Sequence, residues 1–350
     1  MNLKRIIYCV LLLFFGICVL GFLLCLNSAD IAYNLNFHVA SYPRTYFAAM
    51  TALVDFSIFE LLILSSPLLL FLALFYINRA SGSRDANRRF VFVLSLISVL
   101  PSSYICMIAA PSISASPMSL DLDAVVSSDI VRAATILSDG VNEFSAKEMG
   151  ELSYTELSVE LSDSYESIFT QYGIPSHKLY AVKPLHFSKA LSYTGALALY
   201  SPPTGEINIS TEIPLYMTPF TAAHEYAHYL GISGEGDANI FAFIACERSE
   251  NDILRYSARL VMLEYVLSDL YLIDKEMYTN IYNSLGFKVK SDIKERIEYS
   301  KKYESSGVFR LADNLNSAHL KLWDAQGNGD YSTTGKRIAC YFKNNQNPPM

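Results

Sequence analysis

Two histidines and a glutamate set the chemistry to look for. Residues 218–231 read Thr-Pro-Phe-Thr-Ala-Ala-His-Glu-Tyr-Ala-His-Tyr-Leu-Gly and contain His224-Glu225-x-x-His228. On a helix, positions i and i+4 share one face, so both imidazoles can hold one Zn²⁺. Glu225, beside the first of them, can then reach a water on the metal as general base. The chain has only 6 histidines, and two of them take this spacing within a mostly apolar segment. A pair of imidazoles half-buried beside a carboxylate is costly unless it has a use.

A hydrolytic zinc needs a third protein ligand and an open position. Three acids compete. Gly231-Ile-Ser-Gly234 is a short turn, after which a helical pattern runs over 235–248. Antiparallel neighbours bring the start of that second helix beside His228, which favours Glu235. Glu247 lies 19 positions after His228, near the spacing of thermolysin-like enzymes. It is also about 18 Å along the helix from Glu235, so only one of the two can serve. Asp237 is the weaker third option. A disulfide and free thiols are equally open for Cys246 and Cys340, and no CxxC offers a cysteine-based metal site.

The elements that must position these residues follow. Thr218 suits an N-cap, Pro219 the first helical position and Gly231 the stop. Upstream, helical spacing runs over 124–138 and 146–172, ended by Gly173-Ile-Pro175. β-rich stretches span 179–187 and 195–213, with a turn at Pro202-Pro-Thr-Gly205. Zinc peptidases commonly bind substrate backbone along an edge strand, and 205–213 is placed for it. Asn208-Ile-Ser210 fits the glycosylation pattern but reads as a chance match within a strand.

The N-terminal third is a different object. Residues 6–26 and 90–110 carry no charge, and 56–77 carries only Glu60. At 1.5 Å per residue each run can cross a ~30 Å hydrocarbon core, which predicts three membrane helices. The first exceeds a signal-peptide core in length and reads as an uncleaved anchor. Pro67 and Pro101 lie within runs and read as kinks. Lys4 and Arg5 precede the first run; Arg79, Arg84, Arg88 and Arg89 separate the second from the third; only Arg44 lies in between. The positive-inside rule puts the N-terminus in the cytoplasm and, after three spans, the rest outside. Residues 1–110 therefore form the anchor, 111–117 (PSISASP) a linker and 118–350 an extracytoplasmic domain.

Composition agrees with the division. The whole chain is 51% hydrophobic and 17% charged, with a net charge of −7, which argues against a nucleic-acid partner. Residues 1–117 hold 11 charges, and residues 118–350 hold 20 basic and 30 acidic side chains. The expected partners are the lipid bilayer and a peptide or protein substrate.

The segments 200–210, 219–228, 235–246 and Arg255-Tyr-Ser257, with looser features at Tyr42-Pro-Arg44, Phe56-Ser57, Asn316, Leu320-Lys321 and Asp330-Tyr-Ser332, resemble the bacterial membrane family catalogued as domain of unknown function 3810. The resemblance implies a zinc metallopeptidase of the HExxH…E, gluzincin-like class. The implied fold is mainly α with a small β-sheet: three membrane helices, then a zincin-like α+β domain. Glu235-x-x-x-Asn239 also resembles the Glu-x-x-x-Asp of membrane peptidases that process prenylated proteins. That likeness implies Glu235 as third ligand and Asn239 as hydrogen-bond partner of a ligand histidine, with Asn replacing Asp. His319, Tyr256, Tyr331 and Arg255 are candidate transition-state donors. The alternative reading is a non-catalytic zinc-binding structural or sensory membrane protein.

Overall fold

Uncharged sequence that is too long to bury in a small domain forms long exposed helices. The computed structural model describes residues 3–80, 82–104, 114, 116–147, 150, 152–175, 177–304, 306–312, 314 and 333–345. The chain divides into two compact units, Met1–Ala115 with Ser201–Glu206, and Ser116–Tyr200 with Ile207–Met350.

The first unit is helical: α1 (Leu3–Asn27), α2 (Ala29–Asn34), α3 (Ser41–Thr51), α4 (Ile58–Asn78), α5 (Ser83–Ile97) and α6 (Val99–Tyr104). Among the described residues two helices, not the three expected, are long and apolar enough to span a membrane: Arg5–Asn27 and Ile58–Asn78. The third run is divided at Ser98 between α5 and α6. Pro101 has no N–H to donate to the carbonyl of Ile97, and the helix breaks there. The remainder, beyond Tyr104, lies outside the described residues, as does most of the 111–117 linker. Pro67 is accommodated inside α4, whose N-terminus is capped by Ser57. The Glu206 carboxylate accepts from the N–H groups of Ile58 and Phe59 at 2.9 and 2.7 Å, an anion on a helix N-terminus.

The second unit holds α7 (Ser127–Ser145), α8 (Tyr154–Tyr172), β1 (Lys183–Leu185), α9 (Ser188–Ser192), β2 (Ala198–Ser201), β3 (Glu206–Ser210), α10 (Thr218–Tyr229), α11 (Glu235–Arg248), α12 (Asp252–Ile273), α13 (Lys275–Ser284), α14 (Phe287–Glu304) and α15 (Thr334–Asn344). The mainly helical fold with a small sheet is as expected, and α11 has the expected bounds. The two long β-rich stretches contract to three short strands in the order β1-β3-β2. Strand β1 runs parallel to β3, with Lys183 opposite Asn208 and Leu185 opposite Ser210. Strands β2 and β3 are joined by four residues and so run antiparallel. Strand β3 is therefore central, and the edge positions, expected at 205–213, fall instead to β1 and β2. Asn208 is fully buried in β3, which leaves no room for a glycan.

Apolar sequence on every face buries α10 and α11 all round. Residues 219–227 and 236–247 are buried throughout. Helix α12 packs against α7, α10, α11 and α15 and forms the spine of the unit. Thr218 is the first helical residue of α10 rather than its cap. The orphan N–H of Phe220 donates instead to Ser257 Oγ on α12, at 3.0 Å. Tyr165 of α8 holds the middle of α10, its hydroxyl donating to the Ala223 carbonyl at 2.6 Å. Cys246 and Cys340 are both buried free thiols.

Candidate metal centre

Helix α10 ends in a turn that Gly231 makes possible, at φ 97°, where a side chain would be strained. The turn lays α11 back against α10, so Glu235, its first residue, arrives beside the last turn of α10. His224 Nε2 and His228 Nε2 stand 3.0 Å apart. Glu235 Oε2 is 3.1 Å from the first and 3.6 Å from the second. One ligand atom from each of the three residues lies within 4.8 Å of the others, the one such group among the described residues.

The outer nitrogens fix what the inner ones present. His228 Nδ1 is 2.8 Å from the Ile232 carbonyl, which can only accept, so Nδ1 carries the proton. His224 Nδ1 is 2.8 Å from Asn239 Oδ1 and donates to it in the same way. Each Nε2 then offers a lone pair inward. With both imidazoles neutral, two lone pairs and a carboxylate oxygen thus converge with no donor among them. Three acceptors at such distances repel one another unless a cation or proton sits between them. The donor set of two imidazoles and one carboxylate fits a divalent transition metal, and the cluster can hold one.

The electrostatics of the cluster say the same. Burial pulls His228 down, but the Glu235 carboxylate, by charge and by hydrogen bond, outweighs it and raises His228 to about 9. Glu235 is held well below the usual carboxylate range; its burial opposes this, and the two histidines prevail. The pocket favours positive charge at the point where the three groups meet.

Glu225 is buried, with 8% of its surface exposed. Its Oε2 accepts from the Tyr200 N–H of edge strand β2 at 2.6 Å, which fixes the carboxylate. Burial raises its pKa; the two histidines act in the opposite direction. Glu225 is therefore a stronger base than an exposed carboxylate and is aimed by the sheet.

The other acids are engaged elsewhere. Glu247 forms a two-pronged pair with Arg259, at 2.7 Å to Nε and 2.6 Å to Nη2. Asp237 pairs with Arg337 of α15. Of the candidate transition-state donors, Tyr256 donates to Asp292 at 2.6 Å. Arg255 shares α12 with it. His319 and Tyr331 lie outside the described residues.

Several contributors escape sequence reasoning. Asn239 Nδ2 donates to Thr334 Oγ1 of α15 at 3.1 Å, and the Tyr265 hydroxyl of α12 interacts with Asn239 and senses the charge of Glu235. Thr334 is 95 positions from Asn239, and no local pattern ties them. Tyr200 acts through its backbone, which its side-chain type does not advertise.

A family model described as "Protein of unknown function (DUF3810)" matches residues 38–335. No curated protein and no solved structure matches the chain.

Proposed function

The chain belongs to this family of unknown function (DUF3810), and from its site we propose that it is a membrane-anchored zinc-dependent peptidase. The carrying observation is the convergence of His224 Nε2, His228 Nε2 and Glu235 Oε2 on one point, next to a buried, hydrogen-bonded Glu225. His224, His228 and Glu235 would hold the zinc. Structural zinc sites close with four protein ligands, whereas this cluster supplies three among the described residues, the pattern of a reactive site. When bound, zinc supplies a Lewis acid that polarises a carbonyl and makes water acidic near neutral pH.

The chain's own residues do the rest. Glu225 takes a proton from the water that attacks the peptide carbonyl and passes it to the nitrogen of the departing amine as the C–N bond breaks. The Tyr200 N–H holds Oε2 throughout, so the carboxylate does not rotate out of line. Asn239 and the Ile232 carbonyl keep both imidazoles in the tautomer that faces inward. The alternative, a zinc module without catalysis, shares the ligands but gives Glu225 no task. Metal analysis of the full chain purified in detergent tests the reading. About one zinc per chain is expected, lost in His228→Ala. Wild-type protein free of zinc after loading would sink it.

We further propose that the chain spans the membrane three times, with its N-terminus inside and the metal centre outside. The absence of charge over 90–110 and the arginines at 79, 84, 88 and 89 support this reading. A phosphatase fusion after residue 120 should be active. An inactive phosphatase with a fluorescent cytoplasmic reporter at the same site would mean two spans and a cytoplasmic metal centre.

A further inference from the structure

The metal centre depends on something that keeps Asn239 the right way round. An asparagine side chain has an acceptor at one end and a donor at the other, of nearly equal shape. With Oδ1 toward His224, the Nδ1 proton is held outward and the Nε2 lone pair faces Glu235 and His228. With Nδ2 toward His224, Nδ1 would have to accept, the proton would move to Nε2, and that nitrogen could not bind a metal. The fate of the first ligand thus depends on one amide rotation.

Two hydroxyls meet that amide, those of Tyr265 on α12 and of Thr334. Thr334 is the first residue of α15, fully buried, and its Oγ1 accepts from Asn239 Nδ2 at 3.1 Å. Helix α15 is itself locked to the start of α11. Arg337, 4% exposed, pairs with Asp237, two residues past Glu235. Gly236 permits this approach: a Cβ there would stand 2.4 Å from the Arg337 Nε. The ion pair fixes where α15 lies, and the hydroxyl placed by it meets the Asn239 amide.

We propose that Thr334 is a positioning residue for the metal centre: its buried hydroxyl, accepting from Nδ2, anchors the Asn239 amide in the orientation that leaves His224 Nε2 free to bind the ion. The inference rests on the metal reading given above. Thr334 never touches the metal; it acts through Asn239 and His224.

The test is a double-mutant cycle on zinc affinity, measured by chelator competition with the full-length protein in detergent. Thr334→Val keeps the shape and removes the hydroxyl, and should weaken zinc binding by about 10-fold or more, the size of an outer-partner effect. Thr334→Ser should restore affinity to within about threefold of wild type, since the hydroxyl alone matters. Asn239→Asp presents an acceptor whichever way it turns, so it has no orientation to select. In that background, Thr334→Val should change affinity by less than about threefold. Wild-type affinity in Thr334→Val would overturn the proposal, and so would an equal loss in both backgrounds, the mark of a packing role. If Thr334→Val does not fold, Thr334→Ala carries the same comparison. Failure of wild-type protein to bind zinc at all would instead remove the metal reading beneath it.

Discussion

Glu225→Gln is expected to abolish peptide hydrolysis while zinc remains bound at wild-type stoichiometry. The amide is isosteric with the carboxylate, and its carbonyl oxygen can still accept the Tyr200 N–H that Oε2 accepts now. What disappears is the basic lone pair. A positioned general base contributes about 10²–10⁴-fold to such reactions, so kcat should fall by at least that factor. The two ligand histidines are untouched, since their outer nitrogens are fixed by Asn239 and Ile232 rather than by Glu225. Burial also costs the Glu225 carboxylate stability, so its neutral replacement should melt no lower than wild type. Cleavage of a quenched peptide library, followed with elemental analysis of the same preparations, checks both halves. A Glu225→Gln variant with full activity would defeat the mechanism, and one that lost its zinc would give Glu225 a different task.

The parts of the site legible in the sequence were those carried by local spacing. The four-residue interval of His224 and His228 requires only one helix. Glu235 requires one more fact, the short turn ending in Gly234, and chain geometry did the rest. What the sequence could not show were contacts made across long separations by groups with no chemical signature. Ser257 caps α10 from another helix, which is why Thr218 is inside the helix rather than before it. Thr334 and Tyr265 meet Asn239 only because α12 and α15 pack on α11. Strand order was also hidden. Composition marked 205–213 as β, but only the parallel pairing of β1 with β3 makes β3 central and leaves the edges to β1 and β2. The break at Ser98 inside the third apolar run was hidden for a local reason: hydropathy averages over Pro101, whereas the hydrogen-bond ladder does not.

The acids at 235 and 247 separate the ligand from the scaffold, and substituting each should fail in a different way. Glu235→Gln removes a charged oxygen from the cluster. Losing an outer partner already costs about 10–100-fold in affinity, so losing this ligand should cost more than about 100-fold. The fold should survive, because Glu235 starts α11 and its polar partners are the two histidines. Glu247→Gln should do the reverse. Its carboxylate and the Arg259 guanidinium are buried together, with side chains 7% and 13% exposed. Arg259 also lies over the Phe144 ring at 5.1 Å and packs where Gly140 leaves space. Removing one partner strands the other's charge in a poorly hydrated place, a loss of about 3–5 kcal/mol. Zinc should stay bound to whatever fraction remains folded, with an affinity near wild type. Thermal melts and chelator competition on the two variants check the pair. If Glu247→Gln lost zinc at unchanged stability, the thermolysin-like spacing would have identified the ligand and the short turn would have misled. The geometry argues against that outcome, since the two oxygens of Glu247 are already satisfied by two N–H groups of one arginine, while the carboxylate of Glu235 faces two lone pairs that only a cation can reconcile with it.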